Sequence, residues 1–173
     1  YRCPLHCECL SLSYICYNKS LEDFSQFSIA AKALIFSYNS ISFKKLSKKL
    51  IIMKSLIILA LKSCNILHLS IQAFKNSHNL KFLDLSKNNV TQILPQTFCC
   101  MAHLFILNLA SNRISYLEGF IFISLSCLHT LDFSHNNIVN LDINALVKLY
   151  NLTHLDLSYN CISALRNIFT DLR

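Results

Sequence analysis

The chain has 173 residues, of which 53% are apolar and 14% are charged, and 16 lysines and arginines against 9 acidic residues give a net charge of +7. With two prolines and one glycine, this composition excludes collagen-like, linker-like and disordered chains, and it argues against a glycine-rich phosphate loop. The longest apolar stretch, 50–61, is interrupted by Lys54 and Ser55 and is shorter than the roughly 18 to 20 residues of a membrane-spanning helix. We therefore expect a fold with a large, repeated core.

Four of the nine cysteines open the chain, at Cys3, Cys7, Cys9 and Cys16. Their spacing is too short for two zinc-binding C-x-x-C pairs, and no histidine follows at zinc-finger spacing. We interpret them as a disulfide-bonded knot that forms in an oxidising compartment. Three N-x-S/T sequons agree with secretion and are candidate glycosylation sites, namely Asn18, Asn89 and Asn151.

Five lysines fall within eleven positions between Lys44 and Lys54. A run of like charge is usually a solvated face. The alternative is attraction to an acidic glycan, a membrane surface or nucleic acid. Of these partners we expect an acidic glycan and do not expect nucleic acid. The lysines that would bind it are Lys44, Lys45, Lys48 and Lys49.

One pattern repeats along most of the chain. Written L-x-x-L-x-L-x-x-N-x-V, it runs from Leu80 to Val90, and copies begin at residues 56, 80, 104, 128 and 152, a step of 24 each time. The copy at 56 has Cys64 in the asparagine position, and a weaker copy begins at Ala31. The sequence thus predicts a cap over 1–30 and six repeats, at 31–55, 56–79, 80–103, 104–127, 128–151 and 152–173.

This pattern resembles the leucine-rich-repeat signature, and the opening cysteines resemble the amino-terminal cysteine cap of extracellular members of that family. The resemblance implies an α/β solenoid, a horseshoe with a parallel concave β-sheet and an irregular or short-helical convex side. It also implies the bridges Cys3–Cys9 and Cys7–Cys16. No cysteine-rich closing cap follows the sixth repeat, so we expect the chain to be part of a longer protein.

Each position of the repeat has a physical role. The L-x-L alternation predicts a short strand whose leucines point inward, and successive strands stack in parallel about 4.8 Å apart. The resemblance implies that the asparagine amides bond the backbone of neighbouring turns, with Cys64 as a substitute. This predicted asparagine ladder consists of Asn39, Asn88, Asn112, Asn136 and Asn160. Phe74, Phe98 and Phe122 are expected to fill the convex side.

The residues between the strand leucines are expected to face outward on the concave side. Repeats two to four place an apolar patch there, made of Ile57, Ile58, Phe82, Phe105 and Ile106. Repeats five and six add carboxylates and imidazoles. Exposed apolar clusters beside charge are typical of protein and peptide interfaces. The predicted ligand-binding residues are the apolar patch together with Asp84, Asp132, His154 and Asp156.

Both halves of this surface have alternative interpretations. Aspartate at the fifth position belongs to the consensus L-D-L-S-x-N, so the acidic row is also a general feature of such repeats. The apolar patch could be an inner wall or a contact with neighbouring domains.

Histidines and aspartates lie close enough in the predicted sheet to suggest a zinc site, namely His129, His135, Asp132 and Asp156. Each would project from a parallel strand into open water without supporting groups, whereas catalysis needs a desolvated and preorganised pocket. We therefore expect no enzymatic activity, no cofactor and no metal. A pH-sensitive contact through the histidines is the alternative.

The function we expect is an extracellular module that recognises a protein or peptide, as the ligand-binding ectodomain of a cell-surface signalling receptor. A cysteine cap followed by 24-residue repeats resembles the ectodomains of leucine-rich-repeat G-protein-coupled receptors of the relaxin-receptor-like group. In that group concave acidic residues hold basic hormone side chains, and Asp84, Asp132 and Asp156 occupy comparable positions. Membrane attachment would come only through other segments. The alternatives are a secreted matrix or adhesion protein and a Toll-like pattern-recognition ectodomain.

The other five cysteines are harder to interpret. Cys64 is expected to be a buried thiol and Cys161 an exposed one. Cys99 and Cys100 lie one repeat away from Cys127, so one bridge there is sterically allowed. Because nine is an odd number, at least one thiol is free or pairs outside the chain.

Overall fold

The computed structural model describes residues 3–17, 20–21, 23–164 and 169. The secondary structure is almost entirely short strands. In chain order the elements are β1 Cys7–Leu10, β2 Ser13–Tyr17, β3 Ser20–Leu21, β4 Ala33–Ser37, β5 Ser40–Ile41, α1 Phe43–Leu50, β6 Ile58–Lys62, β7 Phe82–Asp84, β8 Ile106–Asn108, β9 Tyr116–Leu117, β10 Thr130–Asp132, β11 Asn140–Leu141 and β12 His154–Asp156.

An eight-stranded sheet runs along the chain in the order β1-β2-β4-β6-β7-β8-β10-β12. The hairpin β1–β2 is antiparallel, and every later pair is parallel and in register. Equivalent leucines therefore face one another across neighbouring strands, as Leu59, Leu83 and Leu107 do. These three leucines are completely buried, whereas their neighbours along the strands are half-buried or exposed, except for the small, buried Ala60. The predicted parallel solenoid is confirmed.

The opposite side of each coil is built mainly from turns. The single α-helix of the described residues, α1, has its apolar residues Phe43, Leu46 and Leu50 buried and lysines between them, as the spacing i, i+3, i+7 requires. In later coils, buried phenylalanines take over the packing. The ring of Phe98 stacks on Phe74 at 6.2 Å and on Phe122 at 6.1 Å between centroids. In the described residues no helix is long and apolar enough to cross a bilayer.

The cap is held by two disulfides, Cys3–Cys9 and Cys7–Cys16, the pairing that the resemblance implies. Strand β2 pairs in parallel with β4, so the cap supplies the first strand of the stack. Its aromatic residues close the core from this end. Phe27 lies 5.3 Å from Tyr14 and 5.3 Å from Phe36, measured between ring centroids. The cap thus covers apolar side chains that the first coil would otherwise expose.

The asparagine ladder joins each coil to the one before it. The amide nitrogen of Asn112 donates to the carbonyl oxygens of Leu85 and Leu109, each at 3.0 Å, and its oxygen accepts from the Val90 amide at 3.0 Å. The same bonds recur at Asn88, Asn136 and Asn160, and Asn39 donates to carbonyls of the cap and of its own strand. Throughout the described residues, no buried side-chain nitrogen or oxygen lacks a partner.

Cys64 interrupts this ladder. Its thiol donates to the carbonyl oxygens of Phe36 and Lys62, each at 3.4 Å, as an asparagine nitrogen would. Its sulfur also accepts the backbone amide of Asn39, which is one of the two bonds that the asparagine oxygen accepts in the next coil. The Ile41 amide, which would meet the side-chain oxygen of an asparagine here, instead reaches the Cys64 carbonyl at 3.5 Å. Burial raises the pKa of the Cys64 thiol to about 11.

Substituting Asn112 with alanine should lower the free energy of unfolding by at least about 2 kcal/mol, because buried backbone groups then lose their partners at about 1–3 kcal/mol each. Urea denaturation followed by circular dichroism measures the loss. Asn137→Ala is the matched control, since Asn137 is exposed in the same turn of the next coil. An equal loss in both variants would contradict the role of the ladder.

Cys64→Asn should stabilise the fold by about 1 kcal/mol at neutral pH, because the new oxygen can accept the Ile41 amide.

Cys64→Asn should also remove the dependence of folding stability on the ionisation of this thiol. The raised pKa means that the folded chain holds the thiol proton more tightly, so stability is complete below pH 9.0 and is lost as the pH rises towards 11. Denaturation across this range, with the exposed thiols alkylated, tests both points. Cys64→Ala loses the titration without gaining the bond, and equal stability of the two variants would disprove the predicted gain.

Candidate functional site

The outward side chains of the parallel strands form continuous rows. In the third position of the repeats, the register sets Ile58, Phe82, Ile106, Thr130 and His154 side by side. In the fifth position, the strand register likewise places a row of residues side by side, namely Ala60, Asp84, Asn108, Asp132 and Asp156. Neighbouring strands lie about 4.8 Å apart, so side chains within one row are in reach of a single ligand.

The apolar patch predicted from the sequence is brought together by this register. Ile58, Phe82 and Ile106 occupy adjacent strands of the third row. Ile57 and Phe105 lie in the second row, where backbone amides link Phe105 to Lys81 and Lys81 to Ile57. Ile58 is 36% exposed and Phe105 is 45% exposed, although both are apolar. The patch is therefore a solvent-facing apolar surface on a rigid sheet.

The polar end of the sheet contains a depression of about 510 Å³, which we call the polar pocket. Three of the predicted ligand-binding residues, Asp132, His154 and Asp156, line it. The other lining residues are Thr130, Leu131, Thr153 and Leu155. Asp84 lies two strands away from Asp132, in the same row, with Asn108 between them. The acidic row, Asp84, Asp132 and Asp156, thus runs from the apolar patch to the polar pocket. The amide side chain of Asn108 is the one interruption.

The fifth-position carboxylates also have a structural role that the sequence analysis missed. One oxygen of Asp84 accepts the Ser86 amide at 2.8 Å, and Asp132 and Asp156 accept the amides of Ser134 and Ser158 in the same way. Each bond fixes the turn that leaves the strand, as aspartate and asparagine commonly do. The signal was present in the sequence, because each strand of the eight-stranded sheet from β7 onward ends in Asp or Asn, two residues before the residue whose amide is bound.

Two hydrogen bonds from Ser158, through its hydroxyl and its amide, hold the pKa of Asp156 below its usual value, and the charge of nearby His135 adds to this effect. The Asp156 carboxylate is therefore ionised over a wider range of acid pH than a free aspartate.

Two imidazoles of this surface are stacked on aromatic rings. His129 lies on Phe105 with 4.1 Å between ring centroids, and His135 lies on Tyr159 at 4.2 Å with the rings nearly parallel. The stack of His129 continues the apolar patch towards the polar pocket. Among the described residues, no group of three or more His, Cys, Asp or Glu side chains is arranged to hold a metal ion.

The candidate glycosylation sites differ in access. Asn18 lies outside the described residues. Asn151 is exposed, and its amide nitrogen donates to the Ser126 carbonyl at 2.7 Å. Asn89 is half-buried and donates to the side-chain oxygen of Asn65 at 3.0 Å.

The lysine cluster lies on α1, away from the parallel sheet. Lys44, Lys45 and Lys48 are exposed, and Lys49 is half-buried with its ammonium 3.5 Å from the Ser25 carbonyl oxygen. A depression of about 350 Å³ separates the helix from the cap loop. It is lined by Asp23, Phe24, Ser25, Lys45, Lys48, Lys49 and Ile52.

The sequence matches the family model described as leucine rich repeat over residues 54–114, 102–162 and 126–173, which together cover most of the chain. The chain belongs to the leucine-rich-repeat family, whose parallel solenoids are protein-interaction modules. None of the curated proteins matches the sequence.

Among solved structures, 309 chains match this fold. One is internalin C2 from Listeria monocytogenes, which superposes with a TM-score of 0.73 at 25% sequence identity. The match covers 91% of this chain and 66% of the internalin chain, so this chain spans just under two thirds of that protein.

Replacing Ser158 with alanine should raise the pKa of Asp156 towards its ordinary value, because the carboxylate loses its hydroxyl donor. Carboxyl chemical shifts measured by NMR across an acid titration report this pKa directly. Ser163→Ala, at an exposed position a few residues on, is the control and should leave the titration of Asp156 unchanged. An unaltered titration in Ser158→Ala would contradict this assignment.

Proposed function

We propose that this chain is an extracellular recognition module and that its parallel sheet binds a protein or peptide partner. The observation that carries the proposal is the apolar patch, in which Ile58, Phe82 and Ile106 align on adjacent strands and Ile57 and Phe105 lie in the next row, beside an acidic row. Large side chains on a rigid surface lose little entropy on binding, and burying them provides most of the affinity of such interfaces. The acidic row then favours partners with basic side chains.

The proposed location outside the cell is supported by the cap. Two disulfides in a cap of about thirty residues are typical of proteins that fold in an oxidising compartment. The exposed sequon at Asn151 agrees with passage through a secretory pathway.

The specific role we propose is the ligand-binding ectodomain of a cell-surface signalling receptor similar to the relaxin-receptor-like group. Asp84, Asp132 and Asp156 lie in one row that crosses the strands, which suits an extended basic segment lying across the sheet. A secreted matrix or adhesion protein and a Toll-like ectodomain are the alternatives. The complete reading frame distinguishes them: seven apolar spans indicate a coupled receptor, one span with a cytoplasmic domain a Toll-like protein, and none a matrix protein.

The double substitution Phe82→Ser and Phe105→Ser should weaken partner binding at least tenfold, because both rings lose the apolar area that binding would bury. Peptides selected on the wild-type chain from a displayed random library serve as probes, and their dissociation constants are measured by biolayer interferometry. Ile143→Ser is the matched control, because Ile143 is 55% exposed on a turn outside the eight-stranded sheet.

The circular dichroism spectrum of the double variant should match that of the wild type. If the selected peptides bind the double variant as tightly as they bind the wild type, the parallel sheet is not the recognition surface.

A second candidate function is binding of an acidic glycan at α1, because three exposed lysines and the half-buried Lys49 share one short helix. Glutamate at Lys44, Lys45, Lys48 and Lys49 should lower the salt concentration at which the chain elutes from heparin. The charge-matched control carries glutamate at four exposed basic residues of other coils, namely Lys75, Lys87, Arg113 and Lys148. Equal elution of the two variants would show that only net charge matters.

A further inference from the structure

Two adjacent thiols lie in contact on a turn far from the parallel strands. The sulfur atoms of Cys99 and Cys100 are 3.2 Å apart, and both cysteines are free. Cys99 is exposed and Cys100 is half-buried. The bridge to Cys127 that the sequence allows is not formed, since Cys127 is also a free thiol.

The turn that carries these thiols is anchored on both sides. Phe98 and Met101, the flanking residues, are buried in the core, and Phe98 belongs to the stacked phenylalanines. The Cys99 amide donates to the Gln96 carbonyl at 3.1 Å and the Met101 amide to the Phe98 carbonyl at 3.3 Å. The backbone of the turn is therefore fixed, and it places the two sulfurs within reach of each other.

The two thiols have different roles in such a reaction. The hydrogen bond with Cys99 raises the pKa of the Cys100 thiol, and burial raises it further, while the charge of Lys75 opposes this shift. Cys100 thus keeps its proton to a higher pH than an ordinary thiol. Cys99, the more exposed of the two, is the sulfur that an external reagent reaches first.

We propose that Cys99 and Cys100 form a reversible redox site that low-molecular-weight disulfides such as oxidised glutathione convert into a vicinal disulfide. The Cys99 thiolate attacks one sulfur of the external disulfide, forms a mixed disulfide and releases one thiolate. Cys100 then loses its proton to solvent and attacks the Cys99 sulfur, which releases the second external thiolate. In total, two protein thiols are oxidised to one disulfide, and the external disulfide is reduced to two thiols.

The geometry explains why this bond would open as readily as it closes. The Cα atoms of adjacent residues are about 3.8 Å apart, closer than the roughly 4.4–6.8 Å that disulfides prefer. A strained and exposed disulfide has a higher reduction potential than a structural one and is therefore labile. The site is independent of the proposed recognition surface, because it lies on the side of the coils opposite the parallel sheet.

The test uses the full 173-residue chain with its cap disulfides intact. After incubation with oxidised glutathione, mass spectrometry should show the peptide that contains Cys99 and Cys100 without two hydrogens and without attached glutathione. Reduced glutathione should reverse this change while Cys3–Cys9 and Cys7–Cys16 remain. Phenylarsine oxide, which needs two neighbouring thiols, should bind once to the reduced chain.

Single variants separate this site from ordinary exposed thiols. Cys100→Ser should retain glutathione stably on Cys99, and both Cys99→Ser and Cys100→Ser should lose phenylarsine oxide binding. Cys127→Ser should behave as the wild type. The proposal is overturned if wild-type Cys99 or Cys100 keeps glutathione at equilibrium, if either joins Cys127 or a second chain, or if neither reagent reacts with the pair.

Discussion

The buried amide of the ladder asparagines is the interaction on which the rest of the molecule depends. Each coil leaves strand carbonyls and a turn amide pointing into the space between coils, where water cannot reach them. One side chain satisfies groups of its own coil and of the preceding coil together, as Asn112 does with Leu109 and Leu85. Consecutive coils are thereby held at one spacing and one register. Every row of outward side chains follows from that register.

Folding and recognition are thus largely assigned to different positions. Most of the strand leucines and ladder asparagines are buried and carry stability, whereas third-position residues such as Ile58 and Phe82 are more exposed and lie outside the core. The fifth position serves both purposes, because Asp132 fixes its own turn and also lines the polar pocket. An effect of an aspartate substitution on binding therefore has to be compared with its effect on stability.

The 24-residue step was enough to predict the stacked strands and the neighbours within each row, since these repeat, and the resemblance to leucine-rich repeats implied the asparagine ladder. Backbone conformations and side-chain contacts that no recurring residue type marks were not predictable from the sequence. The eighth position adopts positive φ at Tyr38, Lys87 and His135, yet none is glycine or asparagine, the residues that usually mark such a turn. The contact of Cys99 with Cys100 and the stack of Phe105 on His129 depend on side-chain rotamers. Sequence spacing does not determine those.

In-register stacking has a consequence for how such a protein changes over evolutionary time. Because every coil contributes one side chain to each row, gaining or losing a whole coil by gene duplication or deletion would alter the length of the outward-facing array by one strand width, about 4.8 Å. The remaining interfaces between coils would be reproduced unchanged. The size of the partner that can be accommodated is therefore adjustable in discrete increments, separately from the chemical identity of any single contact.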